Sequence, residues 1–392
     1  PFRHTVAAPA AGEYRVVRLG VSLPTVIPAL QGMLDLLEEA YFGPDPAASR
    51  VLATTAAMRW LQSHGQLDEA PRERLRATLA ELTVAILMAQ NDDGGWGWFW
   101  DPGSVPPVTA FVLQGLLELR DLDFPVPDQA LTRARDSLLA ALGPDHLFDV
   151  SGIAVWEGAD ARVRLAHTAE IFDVLTRLPS GLQPSGERWD GLVGVMIEAL
   201  DSPAPDLLTV AHALGGLHRL GGDRVPQERL RQLAGNLLRL DELTHWEPGW
   251  FHAYGGRIEA AAVGLEVLSK VAPDAYESLR RAAVAFLLSM DEAWGEWHNS
   301  RSAAFAVRAL LALDPAPDAA AGALIVSVDG REVRRVEVSP NDSFADALAL
   351  RSLELELAAG GSHEVTVSFE GRPAAQVRLE IERWTGTATQ AS

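Results

Sequence analysis

The chain has 392 residues, 48% of them apolar, which is enough to bury a large core in two or three domains or in one large one. Its 53 acidic residues against 33 basic ones give a net charge of -20, which repels nucleic-acid phosphates and anionic lipid and argues against DNA or RNA binding. Cysteine is absent, so there is no disulfide framework, thiolate metal site, Cys nucleophile or redox motif.

The sequence starts at Pro1 with no charged-plus-apolar leader and no long apolar span, so it reads as a piece of something longer, without signal peptide or membrane helix. In residues 1–24, Tyr14, Val16, Val17, Leu19, Val21 and Leu23 form a near-alternating run that suits one strand, whose partner must lie elsewhere.

From Pro24 to about Leu313 the pattern is helical, and the helices come in pairs. The second member of each pair is apolar on several sides, as a helix buried on most faces should be. These inner helices begin near Ala48, Pro106, Arg162, Asp206, Arg257 and Arg301. The outer helices before them, around 27–40, 71–89, 127–142, 187–200, 226–239 and 274–289, carry more Arg, Glu and Asp, as in PRERLRATLAEL from Pro71.

Gly-aromatic loops recur at the outer-to-inner junctions: GGWGWFW at 94–100, AVWEGAD at 154–160, HWEPGWFHAYGG at 245–256 and AWGEWHN at 293–299. Their spacing averages roughly fifty residues, one helical hairpin each. Strict alternation with no evident polar capping repeat points to a closed α6/α6 toroid of six hairpins rather than an open solenoid.

Near Pro315 the Pro/Ala/Gly run ALDPAPDAAAG ends the helical part. Beyond it, five short alternating segments separated by turns at Asp329-Gly330, Gly360-Gly361 and Glu370-Gly371 read as antiparallel strands, which the N-terminal strand could join. The expected fold is therefore mainly α, a toroid with a small antiparallel β domain formed by the two ends of the chain. The expected division is a strand in 1–24, toroid 25–314, linker 315–324, remaining strands 325–384 and tail 385–392.

A toroid inserted into a β domain, with NDDGGWGW leading into PPVTAFVLQGLLEL, HWEPGW at 245–250 and AWGEWHNSRSAAFAVRALLAL at 293–313, resembles the thioester domain of bacterial α2-macroglobulin-like proteins. The flanking strands resemble that family's CUB-type β domain. The family signature is Tyr-Gly-Cys-x-Glu-Gln, followed shortly by Ser-Arg. Anchoring on Tyr41 and on Ser49-Arg50 puts Gly43 where the thioester Cys would be, Asp45 at the Glu and Pro46 at the Gln, so the degenerate segment is Gly43, Pro44, Asp45 and Pro46. The strained acyl group that family members use for covalent capture cannot form there.

The resemblance implies a peptidase-inhibitor or trap protein of the periplasm, cell envelope or extracellular space, acting by non-covalent protease trapping or by binding partners. Those partners would be proteases, envelope proteins or other domains of the parent chain. It implies no cofactor, no nucleic acid, no membrane insertion by this segment and no catalysis.

The alternative is an α/α-toroid enzyme acting on a glycan or isoprenoid. Trp96, Trp98, Phe99, Trp100, Trp250 and Trp297 could floor an aromatic pocket, or could pack across helix ends. Gln90, Gly94 and Trp96 fit the Gln-x-x-x-Gly-x-Trp repeat of triterpene cyclases, but that family's acid and metal motifs are absent. Asp92, Asp93, Glu247 and Glu296 lie in end loops where a glycosidase would place its two carboxylates, although turn formation explains them as well. His167 and His212 hold equivalent places in successive inner helices, as an axial metal pair or as buried hydrogen-bonded side chains, and the second reading is simpler. His245, His252 and His298 have no nucleophile-elbow serine near them.

Overall fold

The computed structural model describes residues 2–6, 13–22, 26–38, 43–65, 67–98, 103–150, 161–202, 207–221, 225–234, 256–271, 283–284, 286–287, 299–312, 322–338, 353–355, 362–371 and 376–385. The chain divides into two compact units, Pro1–Gln31 with Asp314–Ser392, and Gly32–Leu313.

The first unit holds seven strands among the described residues: β1 (Phe2–Val6), β2 (Glu13–Ser22), β3 (Gly322–Val328), β4 (Arg331–Val338), β5 (Leu353–Leu355), β6 (His363–Gly371) and β7 (Gln376–Thr385). They form two antiparallel sheets, in the orders β1-β6-β3-β4 and β5-β2-β7. The alternating run from Tyr14 is one strand, β2, as its pattern suggests, and a second strand, β1, precedes it in residues 1–24, where one strand was expected. Phe2 lies opposite Val367, whereas β2 runs along β7 from Glu13 opposite Thr385 to Ser22 opposite Gln376.

The β3–β4 hairpin turns at Asp329-Gly330, whose φ angles of 52° and 74° are the doubly positive pair that a two-residue turn of matching twist requires. β3 begins at Gly322, inside the segment that composition marks as linker, since Gly322 and Ala323 already pair with Val338 and Glu337.

The second unit is the toroid. Its inner helices are α2 (Pro44–Ser63), α4 (Pro106–Arg120), α6 (Ala161–Leu175), α8 (Leu207–Leu220), α10 (Arg257–Val271) and α11 (Ser300–Ala312). Each packs against the next, and α11 packs against α2, which closes the ring. The outer helices are α1 (Val26–Glu38), in which the division between units falls, α3 (Glu69–Met88), α5 (Asp128–Ala141), α7 (Glu187–Leu200) and α9 (Gln227–Ala234). Of the expected outer helix at 274–289, residues 283–284 and 286–287 are described, and they are helical.

Burial follows the amphipathic pattern. Every residue of α4 from Pro107 to Leu119 is buried, whereas α3 buries only Leu79, Thr83 and Ile86. Small side chains let the inner helices approach. Ala166, Leu208 and Ala260 pack together from α6, α8 and α10, and a Cβ on Gly115 of α4 would stand 3.5 Å from the Ala48 methyl of α2.

Candidate functional site

Three features stand where function was expected: the start of α2, the 90–105 loop and the toroid axis. At the first, Gly43 has φ 130° and caps α2, Pro44 takes the first helical position, where a missing N–H costs nothing, and Gly43 O accepts from Ala47 N at 3.2 Å. Ser49 Oγ turns back to Asp45 O at 3.1 Å, and Arg50 Nε donates to Leu36 O of α1 at 2.9 Å. Gly43 to Pro46 is thus a helix start pinned to its neighbour. Tyr41 lies outside the described residues.

The 90–105 loop joins α3 to α4. Gly94, at φ +92°, crosses so close to α5 that a Cβ would lie 2.5 Å from Arg133 O. Gln90 Nε2 donates to Gly94 O and Ala130 O, and Arg133 Nη2 donates to Asn91 O at 2.7 Å. Asp93 Oδ1 accepts from Gly95 N at 3.1 Å and from Ser104 Oγ at 2.5 Å, so this carboxylate holds the turn.

Trp96 is fully buried; its indole N–H donates to Ile86 O at 2.8 Å, and Thr109 Oγ1 bonds both its N–H and its carbonyl. It therefore offers no open face to a ligand. Trp98 is half-buried. Phe99, Trp100, Trp250 and Trp297, with Glu247, Glu296, His245, His252 and His298, lie outside the described residues.

The axis holds what sequence reasoning did not single out: a network of ion pairs drawn from all six inner helices. In its first storey Arg301 of α11 donates to Glu259 of α10, through Nη2 at 2.6 Å and Nε at 3.1 Å, and to Glu170 Oε1 of α6 at 2.5 Å, all three residues being buried. The guanidinium also lies over the Phe111 ring of α4, 4.3 Å from its centroid, and 5.2 Å from that of Phe305.

His167 Nδ1 is 3.3 Å from Glu170 Oε2, and His212 Nδ1 is 3.2 Å from Asp173 Oδ2. A carboxylate on Nδ1 is how a metal-binding imidazole is often oriented. Among the described residues, however, no group of three His, Asp or Glu side chains is arranged to hold a metal ion, and Arg301 occupies the space between the carboxylates.

In the second storey Arg308 of α11 binds Glu266 of α10 at 2.8 Å and faces Glu118 of α4 at 3.4 Å, and Arg59 of α2 also pairs with Glu118. Asp173 of α6 pairs with Arg177 at 3.1 Å and with Arg219 of α8. The five carboxylates, Glu118, Glu170, Asp173, Glu259 and Glu266, thus meet the five guanidiniums Arg59, Arg177, Arg219, Arg301 and Arg308.

Burial pushes the Glu170, Glu259, Glu266 and Glu118 carboxyls up. The guanidiniums beside them, Arg301 for the first pair and Arg308 for the second, outweigh it and hold all four below the ordinary carboxylate range. Burial draws the Arg219 guanidinium down to about 10. The sequence did carry a signal for this network: Glu259 and Glu266 on α10, and Arg301 and Arg308 on α11, repeat seven residues apart on otherwise apolar helices.

No protein-family model matches the chain. No curated protein matches it in sequence. In fold it is similar to a Salmonella α-2-macroglobulin variant (TM-score 0.61, 20% identity, 97% of this chain and 23% of that one). It is also similar to native Escherichia coli α-2-macroglobulin (TM-score 0.59, 16% identity, 95% and 23%). An Escherichia coli α-2-macroglobulin piece running from domain MG7 to the C-terminus aligns at TM-score 0.57 and 17% identity, over 95% of this chain and 57% of that one. The chain spans about a quarter of the length of the first two. A ring of six inner helices among the described residues, lying in sequence between the strands of one β unit, is, over almost the whole of this chain, an α-2-macroglobulin-like fold.

Proposed function

We propose that this chain is the thioester-domain-like toroid and CUB-like β portion of a bacterial α-2-macroglobulin-like protein that works without a covalent step. The observation that carries the reading is the pairing of that fold with a chain that has no cysteine. Where the family's acyl group would sit, Gly43, Pro44, Asp45 and Pro46 make a helix start.

Escherichia coli α-2-macroglobulin has been solved in forms activated by porcine elastase and by trypsin, which supports proteases as the first partner class to test. By the same resemblance we assign the protein to the periplasm, cell envelope or exterior. None of the helices in the described residues is long and apolar enough to cross a membrane. The toroid enzyme reading gains little, since Asp93 is engaged in its turn and the axial carboxylates are matched by guanidiniums.

The test is a pull-down from bacterial envelope extract, with elastase and trypsin added in parallel, using the protein at its natural full length. Recovery of a protease, or of one defined envelope protein, released intact by denaturant supports non-covalent trapping or partner binding. Turnover of a glycan panel that is lost in Asp93→Asn or Glu296→Gln would overturn it in favour of the enzyme.

A further inference from the structure

We propose that α11 is a charge-matched closing helix: its two arginines, one heptad apart, are the counter-ions whose entry into the axis lets the ring of inner helices close. Arg301 and Arg308 share one face of α11, about 10 Å apart along its axis. Glu259 and Glu266 repeat the same interval on α10, so the two helices meet as a two-rung ladder, Arg301 on Glu259 and Arg308 on Glu266. Each arginine then reaches across to a further helix, Arg301 to Glu170 of α6 and Arg308 to Glu118 of α4.

α11 is also the last inner helix in the chain, and it packs on the first, α2. Until it docks, Glu170 and Glu259 face the axis without the guanidinium they share, and a carboxylate in that state keeps its water. Docking of α11 therefore does two things together: it seals the seam with α2 and replaces axial water by arginine. The rungs are not equivalent. Glu118 also binds Arg59, and Glu266 also binds Lys270 at 3.0 Å, so the second rung keeps cations when Arg308 is removed. Glu170 and Glu259 converge on Arg301, and among the described residues the other basic side chains beside them are imidazoles, His167 at 3.3 Å from Glu170 and His212 at 3.9 Å from Glu259, rather than a second arginine or a lysine.

The experiment compares thermal unfolding and amide hydrogen exchange of the full chain with those of Arg301→Met, Arg308→Met and the triple variant Arg301→Met, Glu170→Gln, Glu259→Gln. Arg301→Met is expected to lower Tm by roughly 5–8 °C, because two buried carboxylates lose the guanidinium they share. Arg308→Met should lose less than half of that, and the triple variant should regain at least half of it. Exchange protection in Arg301→Met should fall in α11 and α2 while α3 and α5 keep theirs.

An unchanged Tm in Arg301→Met, a triple variant no more stable than Arg301→Met, or protection lost evenly round the ring would overturn the proposal. Should Arg301→Met not fold, the triple variant decides: a folded triple variant supports the latch, and an unfolded one overturns it.

Discussion

Arg301 and Glu170 are 131 positions apart in the chain and 2.5 Å apart in the toroid axis, both buried. Such a pair has no local cause. It exists because the ring formed with the four other inner helices brings α6 and α11 to the same axis, and because Glu259 and the Phe111 ring occupy the rest of the guanidinium's surroundings. Neutralising Arg301, Glu170 and Glu259 together is expected to cost little, whereas removing Arg301 alone leaves buried carboxylates without their guanidinium at a cost of about 3–5 kcal/mol. The axis is therefore intolerant of single changes and tolerant of matched ones.

The carboxylate network should make the toroid acid-labile within a defined window. Glu118, Glu170, Glu259 and Glu266 are held below their ordinary 4.5 in the folded state, so the unfolded chain binds more protons than the folded one as pH falls through that value. Their contribution is complete above about pH 5 and is lost below about pH 4.5. Thermal melts followed by circular dichroism should give a flat Tm from pH 7 to pH 5 and a steep fall towards pH 3; a Tm that stays level to pH 3 contradicts the assignment.

Trp96 should behave as a core residue. Trp96→Phe removes the indole donor from Ile86 O, which keeps the Ala89 N–H at 3.2 Å, a loss of about 1 kcal/mol. Trp96→Ala adds a cavity and costs about 3–5 kcal/mol. Urea unfolding of the two variants measures both values, and near-native stability for Trp96→Ala would return the residue to the list of ligand-binding candidates.

Gly94 and Gly65 both have positive φ, yet only Gly94 is crowded. Alanine at Gly65 meets open space and should cost about 1 kcal/mol from backbone strain. Alanine at Gly94 must also displace Arg133 O and should cost about 2–3 kcal/mol. Equal losses in denaturant melts would mean that the approach of the loop to α5 is not tight.

Much of this was legible in the sequence. The inner helices were recognisable because helices such as α4 are apolar nearly all round, and their expected starts fall within a few residues of those observed. The Asp329-Gly330 hairpin was legible because an Asp-Gly pair between alternating runs accepts two positive φ angles. The extra strand β1 ahead of the alternating run was not, since it is defined by a partner more than 300 residues away. The ion network left only a trace in the sequence, the seven-residue spacing of Glu259 with Glu266 and of Arg301 with Arg308, because such residues look like solvated charges until the ring turns their faces inward. Trp96 was recognised as notable, but its role is fixed by Ile86 O and Thr109, which spacing cannot reveal.

The most direct test of the central claim, capture without a covalent bond, combines native size exclusion with intact-mass measurement after the full-length protein has met elastase or trypsin. The account predicts that protease co-elutes natively, while under denaturing conditions no polypeptide containing this chain carries an added protease mass. A denaturant-stable adduct mapping to residues of this chain, or no co-elution with any protease or envelope protein, would contradict it.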